Sequence, residues 1–166
     1  MTAPAVSIAP ELWAEVEGHL ALGPDEQLVF LVARWQGDEA RAFTARLVQP
    51  SGFDLQLPWH LTLADEERAA VITWAHAADG GLIEVHVHRG PWPAEFSPSD
   101  RAGLEEFVPH VWWRLRHRPY VALVVADGTL DGLVWRDGPR TPEQLGSLRI
   151  GGRERFPTGR SLRRWR

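Results

Sequence analysis

Two near-continuous apolar segments constrain the fold more than any other feature of this sequence. They are QLVFLVARW at residues 27–35 and YVALVVA at residues 120–126. Apolar runs of this length, in which valine recurs, are typical of buried strands. A third segment, LIEVHVH at residues 82–88, alternates with a period of two and is rich in β-branched residues, which also predicts a strand. The chain is therefore expected to fold around a sheet.

The remaining segments predict helices packed on that sheet. Helices are expected over residues 10–22, 62–78 and 100–113, the last one interrupted by Pro109. Two more strands are expected over residues 40–48 and 131–136, and a short one over residues 53–57 is left open. This order of elements predicts an α/β (α+β) protein with a single mixed β-sheet flanked by helices.

The composition excludes several classes of protein. The length of 166 residues and the hydrophobic content of 44% fit one globular domain. The absence of cysteine excludes a thiol nucleophile, a disulfide framework and a zinc site built on thiolates. No apolar run reaches the roughly 18–20 residues of a membrane span, and residues 1–10 lack a secretory signal pattern. We therefore expect a cytoplasmic protein with no membrane partner.

The charge is distributed unevenly along the chain. All 18 basic residues are arginine, and the net charge is −4. Residues 1–148 carry a balance of −10, whereas residues 149–166 contain seven arginines and one acidic residue. We predict a domain over residues 1–148 and an Arg-rich C-terminal tail over residues 149–166. The acidic body argues against a nucleic-acid partner. The tail either contacts phosphates or an acidic partner, or it is solvated or packs back on the body.

The candidate chemistry lies at the end of the third predicted strand. His86 and His88 are two residues apart, so on a strand both imidazoles point to the same side, about 6–7 Å apart along the chain. Asp100 follows at the start of a predicted helix, after a proline-rich loop that can fold back. Two imidazoles and one carboxylate leave a fourth position open, which is the ligand pattern of a hydrolytic zinc site. An isolated pair of histidines on a strand is more often structural, so Asp100 is essential to this hypothesis.

Two glutamates are candidates for the general base that such a site requires. Glu84 lies on the same side of the predicted strand as the two histidines. Glu26 stands at the entrance to the first buried strand. The periodicity alone favours Glu84, and the residues themselves leave both candidates open.

The sequence resembles the JAB/MPN/JAMM metalloprotease family. The family motif combines a distal Glu with His-x-His, a short spacer and Ser-x-x-Asp. The matching residues here are Glu26, His86 and His88, an eight-residue spacer over residues 89–96, and SPSD at residues 97–100. The resemblance covers roughly residues 10–136 and implies the MPN/JAB-like (cytidine-deaminase-like) fold.

The resemblance implies a role for each matching residue. His86, His88 and Asp100 would ligate Zn²⁺, Glu26 would be the general base and acid, and Ser97 would stabilise the oxyanion. The family usually has proline directly after the second histidine, where this chain has Arg89. We expect two further residues, Arg89 and Trp92, to lie at the substrate groove.

The implied activity is that of a zinc-dependent metallo-isopeptidase or peptidase. Its substrate would be a ubiquitin-like protein or its conjugate, cleaved after the C-terminal Gly with a zinc-bound water activated by a Glu. Bacterial members of the family often occur beside proteins that resemble ubiquitin-activating and ubiquitin-conjugating enzymes, which are therefore expected partners. Two alternatives stay open: a catalytically inactive MPN-like scaffold that binds a ubiquitin-like partner, and a zinc hydrolase of small amides.

Overall fold

The computed structural model describes residues 2–165, and within that range the chain forms three α-helices and eleven β-strands. The helices span Pro10–Leu20 (α1), Asp65–Ala77 (α2) and Pro98–Arg114 (α3). The strands, in chain order, are Ala5–Ile8 (β1), Leu28–Gln36 (β2), Glu39–Leu47 (β3), Phe53–Leu57 (β4), His60–Leu63 (β5), Gly81–Val87 (β6), Tyr120–Ala126 (β7), Thr129–Trp135 (β8), Glu143–Gln144 (β9), Ser147–Ile150 (β10) and Arg153–Arg155 (β11). Among the helices described, none combines the length and hydropathy that crossing a bilayer requires.

Nine strands of the described chain form one mixed sheet, in the order β11-β10-β1-β3-β2-β6-β7-β8-β9. Strands β4 and β5 form a separate antiparallel hairpin. Strand β6 pairs antiparallel with β2 and parallel with β7, so the two apolar segments of the sequence flank the strand that carries the histidines. The predicted mixed sheet flanked by helices is confirmed, with the addition of the small hairpin.

Helices cover both faces of the large sheet. Val29 and Leu31 of β2 pack in a core with Trp13 of α1, whereas Phe30 and Val32 pack in a second core with α2 and α3. Successive residues of a strand point to opposite faces, so a strand covered on both faces needs apolar residues at almost every position. This arrangement explains the near-continuous apolar character of β2 and β7.

Helix α2 begins later than the sequence indicates. The prediction placed a helix over residues 62–78, but α2 spans Asp65–Ala77, and residues 60–63 form β5. Leu63 is buried and lies opposite Phe53 in the β4–β5 hairpin. Pairing with the preceding strand β4 in a local hairpin therefore outweighs the helix propensity of this stretch.

Helix α3 is longer than predicted. It starts at Pro98 and continues through Pro109 to Arg114. Proline in a helix removes one backbone donor and costs about 3 kcal/mol. Four side chains on the core side of α3 are buried and oppose that cost: Leu104, Val108, Val111 and Trp112.

The segment predicted as a C-terminal tail contributes to the large sheet. Strand β10 pairs in parallel with β1, and β11 pairs antiparallel with β10. Ser161 is buried, and the ring of Trp165 packs edge-on against Trp135, with 5.5 Å between ring centroids. Strand β1 was also not predicted, and it lies between β10 and β3.

Asp131 of β8 holds this C-terminal segment to the sheet. Its carboxylate is fully buried and accepts hydrogen bonds from Gln144, Gly159 and Ser161, among others. We expect Asp131→Ala to lower the free energy of unfolding by about 3 kcal/mol, because several buried donors lose a charged acceptor.

Denaturant unfolding measures this effect. The matched control is Asp54→Ala, which removes an exposed carboxylate and should change stability by less than about 0.5 kcal/mol. Equal stability of the two variants would contradict the assignment of Asp131.

Candidate metal centre

The end of β6 brings the two histidines together. His86 continues the alternation of Leu82 and Glu84, so its ring lies on the face of the sheet that α2 and α3 cover. His88 follows the last residue of β6, and its backbone N–H donates to the carbonyl of Val125 at 2.9 Å. The strand alignment with β7 therefore extends to His88. The Nε2 atoms of His86 and His88 lie 3.0 Å apart.

Asp100 reaches the histidines from the first turn of α3. Ser97 is the N-cap of this helix, and its hydroxyl accepts the Asp100 N–H at 3.1 Å. The Ser97 N–H donates to Oδ2 of Asp100 at 2.7 Å, which completes a capping box. The same Oδ2 lies 3.0 Å from Nε2 of His88 and 3.4 Å from Nε2 of His86. The interaction that starts the helix therefore also fixes the third candidate ligand.

The three ligand atoms have the spacing that a metal ion requires. Ligands at about 2.0–2.1 Å from a tetrahedral zinc lie about 3.3 Å from one another. The separations among the atoms of His86, His88 and Asp100 are 3.0, 3.0 and 3.4 Å. These residues are the one group of potential ligands in residues 2–165 that meets this condition, and they could hold a metal ion.

The charges of the candidate ligands are strongly coupled. Burial disfavours a charged imidazole at His86, but the carboxylate of Asp100 outweighs this effect and raises the pKa of His86 to about 9. Burial opposes the charge of Asp100 as well, but the two imidazoles hold the pKa of that carboxyl well below its usual range. In the metal-free protein, a proton on His86 therefore supplies the positive charge that a cation would supply.

Glu26 lies beside this group because of the register between β2 and β6. Leu28 pairs with His86, and the Val87 N–H donates to the Gln27 carbonyl at 3.2 Å. Continuing this antiparallel alignment by two residues places Glu26 opposite His88. Oε1 of Glu26 lies 3.8 Å from Nε2 of His88.

The backbone of Glu26 is held by the β4–β5 hairpin. Its N–H donates to the carbonyl of Leu57 at 3.0 Å, and its carbonyl accepts from the Gln56 side chain at 2.9 Å. The residue is only 3% exposed, and this burial raises the pKa of its carboxyl.

Glu84, the other candidate base, has a different partner. The hydroxyl of Tyr120 donates to its Oε2 at 2.5 Å, and burial raises the pKa of the Glu84 carboxyl. Glu84 lines a cavity of about 230 Å³ between the sheet and α3, which His86 and Asp100 also line. The structure therefore brings both glutamates near the candidate ligands, with Glu26 at 3.8 Å from His88 and Glu84 hydrogen-bonded to Tyr120.

The other predicted site residues lie around a groove of about 170 Å³. Its lining includes Glu26, His88, Arg89, Trp92 and Ser97, together with Pro58, Trp59, Pro93 and Ala126. Trp92 is 71% exposed on one side of the site. Trp59, at the tip of the β4–β5 hairpin, is 73% exposed and was missed by the sequence analysis. The Pro58-Trp59 pair between two short strands was the available signal, but only the tertiary fold brings it to this groove.

Arg89 directs its guanidinium to the backbone rather than into the groove. It donates to the carbonyl oxygens of Leu20, Leu22 and Asp25 at 2.9–3.2 Å. These oxygens belong to the end of α1 and to the loop that leads to Glu26. Arg89 therefore joins the histidine-bearing strand to that loop, and its predicted contact with substrate stays a prediction.

The fold and the site define an α+β protein with a three-residue candidate metal centre. No protein-family model matches this sequence, and the comparison with curated proteins gives no match. The chain is similar to the solution structure of protein DSY2949 from Desulfitobacterium hafniense, a structural genomics target, with a TM-score of 0.55 and 17% sequence identity. The similarity covers 87% of this chain and 93% of that chain, and it concerns the fold alone.

The sequence predicts zinc and the geometry allows a metal ion, so we expect the purified protein to bind one equivalent of zinc per chain. His88→Ala should abolish this binding, because it removes the nitrogen nearest to both other ligand atoms. Metal analysis after dialysis measures the stoichiometry. His110→Ala, at an exposed position of α3, is the matched control and should keep the metal. Zinc retained by His88→Ala, or absent from the wild type, would contradict the assignment.

The affinity for zinc should rise with pH between pH 7 and about 9. Because the pKa of His86 is raised to about 9, this imidazole carries a proton below that pH and must lose it before it can bind a metal. Release of one proton per metal makes the affinity rise about tenfold per pH unit, with a plateau above the pKa of His86. Chelator competition across this range measures the slope, and a flat profile would show that His86 is neutral in the metal-free protein.

Proposed function

We propose that this chain is a zinc-dependent metallo-isopeptidase or peptidase of MPN-like fold, which cleaves after the C-terminal Gly of a ubiquitin-like protein. The observation that carries this proposal is the convergence of four side chains from three separate elements. Glu26 comes from the approach to β2, His86 and His88 from the end of β6, and Asp100 from the start of α3. The proposal combines this arrangement with the motif resemblance.

The donor set supports a hydrolytic role for the metal. His86, His88 and Asp100 provide three ligands, and a site with three protein ligands keeps a fourth position open for water or substrate. Zinc bound by these residues would polarise a carbonyl group and lower the pKa of a bound water to about 7.

Glu26 is suited to move the proton during hydrolysis. Its carboxylate borders the groove and lies 3.8 Å from His88. Oε1 would accept a proton from the attacking water as the new C–O bond forms. The same carboxyl would then give the proton to the leaving amine as the C–N bond breaks. Burial raises the pKa of the Glu26 carboxyl, which makes its carboxylate a stronger base than an exposed glutamate.

Ser97 is placed to act on the carbonyl oxygen. Its hydroxyl accepts the N–H of Asp100 and lies 3.0 Å from the hydroxyl of Ser99, and either hydroxyl can be the donor in that contact. When Ser99 donates, the proton of Ser97 is available for a further acceptor. Because Ser97 also lines the groove, this proton could be donated to the oxyanion that develops during attack.

The groove supports a substrate with small residues at the cleavage site. Its volume of about 170 Å³ is small, and the exposed rings of Trp59 and Trp92 border it. At its glycine residues, an extended segment presents only backbone to the side chains that line the groove. A ubiquitin-like protein with a flexible C-terminal glycine segment fits this description. Partners that resemble ubiquitin-activating and ubiquitin-conjugating enzymes follow from the same proposal.

We expect Glu26→Gln to lower the rate of cleavage at least about 100-fold, because general acid–base catalysis contributes a factor of roughly 10²–10⁴. The substrate is a ubiquitin-like protein joined to a reporter through its C-terminal Gly, and product formation is followed on gels. Zinc content should be unchanged, since Glu26 is not one of the three ligands.

Glu84→Gln is the matched comparison for this variant. Its rate of cleavage should stay within about tenfold of the wild-type rate. A larger loss of rate in Glu84→Gln, together with retained cleavage by Glu26→Gln, would assign the base to Glu84. Binding of the substrate by zinc-loaded wild type without cleavage would favour the inactive scaffold.

A further inference from the structure

We propose that Ser161, in the C-terminal segment, is a positioning residue for the metal centre and acts through Phe96. This inference rests on the metal centre of the proposed function. It assigns a role to the segment that the sequence indicates only as an Arg-rich tail. A series of hydrogen bonds and one packing contact connects the rigid sheet to His86 and Asp100.

The first link anchors Ser161 to the sheet. Asp131 lies in β8, directly opposite Val124 of β7, and its carboxylate is fully buried. Oδ2 of Asp131 accepts the N–H of Ser161 at 2.8 Å and the hydroxyl of Ser161 at 2.6 Å. Both backbone and side chain of Ser161 are therefore fixed relative to the central strands.

The second link passes from Ser161 to the loop between the ligands. The Ser161 hydroxyl oxygen accepts the backbone N–H of Phe96 at 3.0 Å. The directions of both bonds are determined, because the carboxylate of Asp131 only accepts and a backbone N–H only donates. One buried hydroxyl therefore satisfies both neighbours, and removing it leaves the Phe96 N–H without its acceptor.

The third link connects Phe96 to two of the candidate ligands. The Phe96 ring is buried against His86, with 5.6 Å between the ring centroids. The next residue, Ser97, donates its N–H to Oδ2 of Asp100 at 2.7 Å. A displacement of Phe96 would therefore disturb both the packing of His86 and the capping box that orients Asp100. The Ser97 N–H is a direct hydrogen-bond partner of Asp100, and loss of such a partner typically changes metal affinity 10–100-fold. Ser161 supports this partner indirectly, so its loss is expected to act at the lower end of that range.

A second contact between the same two segments provides a matched control. The hydroxyl of Thr158 donates to the carbonyl of Ala94 at 2.7 Å, and the N–H of Ala94 donates to the hydroxyl of Thr129 at 2.7 Å. Ala94 is farther from Asp100 in the chain than Phe96 is, and it has this separate anchor. Loss of the Thr158 hydroxyl should therefore loosen the C-terminal segment without moving the capping box.

The experiment compares Ser161→Ala with Thr158→Ala. Zinc affinity is measured by competition with a chromophoric chelator, and thermal stability is measured on the metal-free proteins. We expect Ser161→Ala to weaken zinc binding about tenfold or more and Thr158→Ala to change it less than about twofold, although both lower the melting temperature. Equal affinities for both variants would overturn the inference. A wild type that binds no zinc would instead refute the metal centre on which it rests.

A measurement on the wild type covers the case in which Ser161→Ala does not fold. Coupling between two sites is reciprocal, so zinc binding should slow hydrogen exchange at the backbone amides of Phe96 and Ser161. The amide of Leu145, which donates to the carbonyl of Gly132, serves as the internal reference. Zinc binding with no added protection at Phe96 and Ser161 relative to Leu145 would overturn the inference.

Discussion

The carboxylate of Asp100 is the group on which the candidate site depends. One of its oxygens completes the capping box with Ser97 and also faces Nε2 of both His86 and His88. The capping box that starts the helix therefore also orients the carboxylate toward the imidazoles. The two imidazoles and this carboxylate thus converge on one point. Because the carboxylate is negative and largely buried, a positive charge between the three groups stabilises the arrangement. A proton on His86 supplies this charge without metal, and a divalent cation would supply it with metal.

The grouping of the three candidate ligands was predictable because their geometry is local. The period of two in a strand places His86 and His88 on one side, and SPSD at residues 97–100 is a helix start whose carboxylate points back over the first turn. Glu26 was a harder case, since periodicity favours Glu84. Its position depends on the register between β2 and β6, which joins residues about 60 positions apart and cannot be derived from spacing. The resemblance to a known motif, rather than local physics, pointed to Glu26.

The fold shows the same division between local and distant causes. The apolar runs predicted β2 and β7 because burial on both faces leaves a clear pattern in the sequence. Strands β1, β10 and β11 are short, and pairing with one another and with β3 holds them in the sheet. A proline inside a helical segment usually ends the helix, but α3 continues through Pro109 because its buried side packs against the core. The hydrogen bonds of Ser161 with Asp131 and Phe96 join residues far apart in the chain, so no sequence pattern predicts them.

A crystal structure of the protein grown with zinc, with anomalous data collected at the zinc edge, tests the central claim most directly. The account predicts one strong peak about 2.0–2.2 Å from Nε2 of His86, Nε2 of His88 and Oδ2 of Asp100, with Glu26 nearby and unligated. A peak bound elsewhere, or no peak at these residues, would contradict the metal centre. Direct ligation by Glu26 would close the fourth position and contradict the hydrolytic role.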